Sequence, residues 1–175
     1  MDVTESIKKE AYDEFKNRST DLLNTLSSFS EEAFNTIPFE GSWTPAQVLD
    51  HLLKSMEGIL KTLYGATTVT GRPPDEKVKA FKEVFLNFEI KMKSPESILP
   101  KSSLPLSKRS SLNDLERTIT KFEVAIKDID LTKTCATFEF PGLGEFTRLE
   151  WIYFSVFHMQ RHTHQLKKIF EIMHH

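Results

Sequence analysis

Two stretches of this chain, about a hundred residues apart, open a helix with the same local grammar. In Trp43-Thr44-Pro45-Ala46-Gln47-Val48, Thr44 is placed as the N-cap and Pro45 fits the first helical position. Gln47 stands third, where its amide can close a capping box on Thr44. Phe146-Thr147-Arg148-Leu149-Glu150-Trp151 repeats the arrangement, with Thr147 as cap and Glu150 as its partner. Trp43 with Val48, and Phe146 with Trp151, take the two positions of a hydrophobic staple. A start this well marked sets the rotational phase of everything downstream, so later residues can be assigned to faces. Both helices go on to carry internal histidines.

Apolar spacing predicts the remaining elements. From about Thr4 to Phe29, Ile7, Ala11, Phe15, Leu22 and Leu26 recur at four or seven residues with charges between them. The helix opened by Thr44 runs to about Tyr64, with Gly65 ending it and 67–74 reading as a loop. Asp75 to Glu89 places Val78, Phe81, Phe85 and Phe88 at 3-4-3 spacing. Between Lys91 and Ser110 the prolines Pro95, Pro100 and Pro105 exclude a continuous helix, so this segment is expected to cross the surface as a crossover or lid. Within it, Lys101 to Arg109 reads as a solvated loop. A helix of about Ser111 to Ile129 follows, with Leu112, Leu115, Ile119, Phe122 and Ile126 on one stripe and Ser111 or Asn113 as its cap. Thr134 to Phe140, followed by Pro141-Gly142-Leu143-Gly144, suggests a short hairpin or extended arm. The last helix runs from Thr147 to about Met173. The expectation is one all-α domain over 1–175: a four-helix bundle with a long crossover, a further short helix and the short hairpin.

The last helix concentrates the chemistry. His158, His162 and His164 fall in seven residues. His158 and His162 are one turn apart and about 40° apart around the axis. Trp151, Phe154, Ile169 and Ile172 lie within about 40° of His158, so the pair is on the apolar face. Such a pair is either a hydrogen-bonded part of the core or part of a divalent metal site. Two ligands rarely hold an ion tightly, and His51, in the apolar run Val48 to Leu53, is the candidate third. Three imidazoles with a position left open form a catalytic type of zinc site, and nitrogen ligands suit nickel equally. His164, about 120° from His158, points away and is expected at the surface or behind the ligands. His174 and His175 end the chain and are expected to fray. Gln165 lies one turn beyond His162 and could line a pocket; Ser55 stands in the same relation to His51. Cys135 falls outside the helices and is expected to be a small buried residue.

Bulk composition narrows the function. With 23 Lys and Arg against 25 Asp and Glu, the formal charge is −2, which leaves no basic stripe for nucleic acid. The first residues lack the layout of a signal peptide, and no apolar run approaches the ~20 residues of a membrane span. A single cysteine suits a reducing cytoplasm. No phosphate loop, dinucleotide fingerprint, nucleophile elbow or HExxH motif is present.

The stretch Trp43-Thr44-Pro45-Ala46-Gln47-Val48-Leu49-Asp50-His51-Leu52 resembles the helix start of the DinB/YfiT-like superfamily. Gly144 to Trp151, followed by His158, His162, Gln165 and Leu166, resembles its C-terminal helix. The resemblance implies a four-helix bundle with a long crossover and one divalent ion held by His51, His158 and His162. It also implies thiol-dependent chemistry, such as S-transfer with a low-molecular-weight thiol, or amide hydrolysis, and by analogy a homodimer. Two features depart from the pattern: His164 is an extra histidine, and no acidic residue of the ligand helix marks itself as a base. Three functions stay open: a metal-dependent enzyme acting on a small molecule or thiol, a hydrolase using metal-activated water, and a non-catalytic, metal-stabilised binding protein of stress responses.

Overall fold

The computed structural model describes residues 3–100 and 105–175. Helix α1 (Val3–Ser27) buries Ala11, Phe15, Leu22 and Leu26, the positions its spacing selects. A four-residue helix that spacing had not indicated, α2 (Glu31–Phe34), follows; Ser30 caps it by accepting from the Ala33 N–H at 3.0 Å. Helix α3 (Pro45–Leu63) begins with the expected capping box, Thr44 and Gln47 bonding reciprocally at 2.9 and 3.1 Å. The segment read as a loop after it contains a two-residue strand, β1 (Thr67–Thr68).

Helix α4 (Val78–Phe85) is shorter than the 75–89 expected. The carbonyls of Phe85, Asn87 and Ile90 accept from the Arg161 guanidinium, so they are committed elsewhere and the helix stops. Phe88 therefore lies outside it. Among the described residues of the proline-spaced crossover before Ser107, the one regular element is a 3₁₀ turn, Glu96–Ile98. Residues 101–104 of the expected solvated loop lie outside the described residues, and Lys108 and Arg109 open helix α5 (Lys108–Asp128) instead. The cap is Ser107, not Ser111 or Asn113, accepting from the Ser110 N–H at 3.2 Å. The earlier start is held by Lys108, whose ammonium donates to the Ser27 and Phe29 carbonyls at the end of α1.

The expected hairpin is present, and a third strand makes it a small sheet beside the mostly helical remainder. Strands β2 (Thr134–Phe140) and β3 (Gly144–Thr147) pair antiparallel, and β1 adds to the free edge of β2. Gly142 and Gly144 carry φ of 80° and 72°, left-handed values that a residue with a Cβ adopts only with strain. Helix α6 (Arg148–His174) leaves β3 directly, Thr147 being both the last strand residue and the cap. The Phe146–Trp151 staple forms, with ring centroids 5.0 Å apart. The four long helices bury one core: α1 packs on α5 and α6, and α3 packs on the same two. Near the end of α6 the stripe leaves the core, so Ile169 is buried but Ile172 is 51% exposed, against expectation. Among the described residues no helix is long and apolar enough to cross a membrane.

Glu150 ties the sheet, the 70–77 loop and α6 into one unit. It is fully buried and its carboxylate accepts from Arg72 at 2.6 and 2.8 Å, from the Lys77 N–H at 2.9 Å and from the Thr147 N–H at 2.8 Å. The carboxylate in turn holds the Arg72 guanidinium above its ordinary pKa. Replacing Glu150 with Ala removes the bidentate partner of Arg72, which keeps Glu76 and the Glu145 carbonyl, and leaves two backbone N–H donors without their acceptor. The expected loss is about 3–5 kcal/mol, read from urea unfolding; a loss near that of an exposed pair, below about 1 kcal/mol, would show that Glu150 is no such anchor.

Candidate metal centre

The two helices with the best-defined starts carry their histidines into the core. His51 lies two turns into α3, between Leu49 and Leu52, both fully buried. His158 and His162 occupy the middle of α6, with Phe154 one turn before and Leu166 one turn after. The three residues are 1%, 6% and 9% exposed. Because α3 packs on α6, the three imidazoles meet across the helix interface, and one ligand atom from each lies within 4.8 Å of the others.

The pairing of nitrogens decides what the cluster can do. His158 Nε2 is 3.0 Å from His51 Nε2 and 3.0 Å from His162 Nε2. The outward nitrogens have partners. His51 Nδ1 donates to the Ile98 carbonyl at 2.8 Å, and His162 Nδ1 donates to Gln165 Oε1 at 2.8 Å. His158 Nδ1 meets the Ser55 hydroxyl at 3.2 Å, and a hydroxyl can accept or donate there. With protons on Nδ1, neutral rings of His51 and His162 present bare lone pairs at Nε2, both aimed at His158. One proton on His158 Nε2 cannot serve both neighbours well, whereas a cation between the three satisfies all of them.

The two 3.0 Å separations fit such a cation. An ion bonded to two nitrogens at about 2.0–2.1 Å, with an angle of about 90–110°, holds them about 2.9–3.4 Å apart. Outward N–H groups fixed by a carbonyl, an amide oxygen and a hydroxyl are the usual support for ligating histidines. All three rings are held in their neutral, ligand-competent form. Burial pushes His162 down to about 3, with the neighbouring His51 acting in the same direction. Burial likewise takes His158 well below the ordinary imidazole value, and His162 and His51 add to it. His51 is also lowered, again chiefly by burial, although its bond to Ile98 works against the shift.

Residues 14–166 match the model of the DinB superfamily. The chain belongs to this family. The uncharacterized protein YuaE of Bacillus subtilis (strain 168) is similar, 26% identical over 159 residues, spanning 90% of this chain and 95% of that one. No solved structure matches the chain significantly. DinB proteins are generally metal-binding, and the three histidines of this DinB chain could hold such an ion.

Other residues singled out in the sequence take different places. Gln165, through Oε1, and Ser55, through its hydroxyl, each meet the outer nitrogen of a triad histidine. Ser55 serves His158 across the interface, not His51 on its own helix. His164 stands apart from the triad and stacks on Phe88, centroids 3.9 Å apart and planes 8° from parallel. His174 is the last helical residue and donates to the Phe170 carbonyl at 2.7 Å. Cys135 is buried in β2, and burial pushes its thiol up to about 11, which makes it unreactive. Two contributors to the site were not assigned to it from the sequence. Ile98 acts through its carbonyl, which any residue type supplies. Trp43, read as a staple, also stands beside the site, its ring 5.2 Å from that of His51. Two shallow clefts of about 340 and 440 Å³ open elsewhere on the surface, and no triad histidine lines either.

These lowered values make the fold sensitive to acid. The folded rings of His158 and His162 bind protons only well below 6.5, whereas the unfolded chain protonates near 6.5, so stability is full above that pH and falls below it. The metal-free protein is expected to lose up to about 1.4 kcal/mol per pH unit for each of His158 and His162 between pH 6 and 5. Urea midpoints that stay level from pH 7 to 5 would contradict the assignment, and His162→Gln should flatten the slope.

Proposed function

We propose that this DinB-family protein is a metal-dependent enzyme in which His51, His158 and His162 hold one divalent ion, zinc or nickel, and that it transfers a low-molecular-weight thiol to a small-molecule substrate. The single observation carrying the metal is the set of three inward Nε2 atoms, two pairs at 3.0 Å, with each outer nitrogen already hydrogen-bonded. An ion held by three imidazoles keeps a coordination position open and lowers the pKa of what binds there, so a thiol is deprotonated near neutral pH. The protein's residues do the rest. Ile98, Ser55 and Gln165 hold the rings in register; Phe154 and Phe85, with ring centroids 5.5 and 6.2 Å from that of His158, keep water from its far side.

The choice of thiol over water rests on what surrounds the histidines. Among the described residues the cluster contains no carboxylate, and Gln165 and Ser55 are committed to ring nitrogens. A reaction whose nucleophile needs no protein base suits such a site better than hydrolysis. The circuit of packing among α1, α5, α3 and α6 supports reading the chain as one four-helix bundle with a long crossover between α4 and α5.

Purified protein is expected to carry about one zinc or nickel ion per chain by elemental analysis, and chelation should lower its melting temperature. His51→Ala should lose the ion while circular dichroism stays largely helical. Full occupancy in that variant would mean that the third ligand lies elsewhere. In the cobalt-substituted protein, added thiol should shift the visible absorption bands. Unshifted bands together with turnover of ester or amide probes would replace thiol transfer by hydrolysis.

A further inference from the structure

We propose that residues 85–100 form a strap that gates the histidine triad, hinged at its α4 end and latched at its far end by Lys54. The triad is too buried for any ligand to reach without a movement of its surroundings. The flanking helices α3 and α6 are poor candidates for that movement, since both are locked by capping boxes and a shared core. The strap is built differently. Its one element of regular structure beyond α4 is the 3₁₀ turn, and Phe88, Ile90, Met92 and Leu99 are all exposed. It contributes little to the core, and side chains of α3 and α6 tether it by its carbonyls.

Those tethers are unequal along its length. At the α4 end, Arg161 donates to the carbonyls of Phe85 and Asn87 at 3.1 Å each and to that of Ile90, and His164 stacks on Phe88. A guanidinium bonded to three carbonyls, backed by a ring stack, makes a firm hinge. At the far end His51 Nδ1 donates to Ile98 at 2.8 Å and the Lys54 ammonium donates to Leu99 at 2.6 Å. Lys54 is itself steadied by Asp50 at 2.8 Å. Lys54 lies three residues after His51, so latch and ligand share one face of α3. Breaking two bonds there frees the chain that lies against His51.

The latch is coupled to the metal, a point that rests on the metal reading above. An ion on His51 Nε2 keeps the proton on Nδ1, which is the proton given to Ile98. Occupancy therefore favours the closed strap, and by reciprocity a closed strap favours occupancy.

The gate itself is tested without metal. In chelator-stripped protein, diethylpyrocarbonate modification is followed by peptide mass spectrometry at His51, His158 and His162, with His174 as the internal reference. Lys54→Met is expected to speed modification of the triad about tenfold, as loss of a charged hydrogen bond would, with His174 unchanged. Lys54→Arg should restore the slow rate. Equal triad rates in wild type and Lys54→Met, or an equal rise at His174, would overturn the gate. Hydrogen exchange on the unmutated protein reads the coupling: adding zinc should slow the amides of 96–99 and leave α5 unchanged. Stoichiometric zinc with no slowing overturns the coupling. A strap-dependent modification rate in a protein that takes up no metal supports the gate and removes the metal reading alone.

Discussion

Three imidazole nitrogens that face one another in a dry core repel unless something positive lies between them. The arrangement around His51, His158 and His162 follows from that constraint. The hydrogen bonds to the outer nitrogens of His51 and His162 push those two rings toward the tautomer with a bare Nε2, and burial denies the cluster the extra proton that would relieve the conflict. A core of this kind spends stability to keep three donors uncharged and aimed at one point. Such an arrangement could hold a metal ion.

The rest of the fold holds two helices so that this point exists. Neither α3 nor α6 depends on propensity alone. Each begins at a reciprocal cap, and α6 is also fastened at its start to the sheet and the 70–77 loop through the buried Glu150 carboxylate. The sheet is small, yet it gives the first turn of α6 a rigid base, because Thr147 ends β3 and caps the helix in one residue. Helices α1 and α5 close the other side of the core and bring no ligand to the cluster.

Much of this was legible in the sequence, for a reason particular to helices. Their period is fixed, so a capped start and a run of apolar residues assign every later side chain to a face; hence the long helices and the three histidines could be read. What the sequence hid was decided by tertiary partners. Helix α4 ends early because Arg161 claims its carbonyls, and α5 begins early because Lys108 reaches back to α1. Strand β1 is two threonines that pair only because β2 offers an edge. The roles of Gln165 and Ser55 depended on which ring nitrogens came within reach, and the Ile98 carbonyl has no side-chain signature at all.

The twin caps also act as rulers. Thr44 is seven residues before His51, and Thr147 is eleven before His158. Inserting or deleting one residue in either interval would turn the imidazole by about 100° and move it about 1.5 Å along the axis, taking it out of the cluster. Substitution in these intervals need only respect the core, whereas a change of length would abolish the convergence. The chain thus stores the position of its buried centre as two counted distances from two threonines.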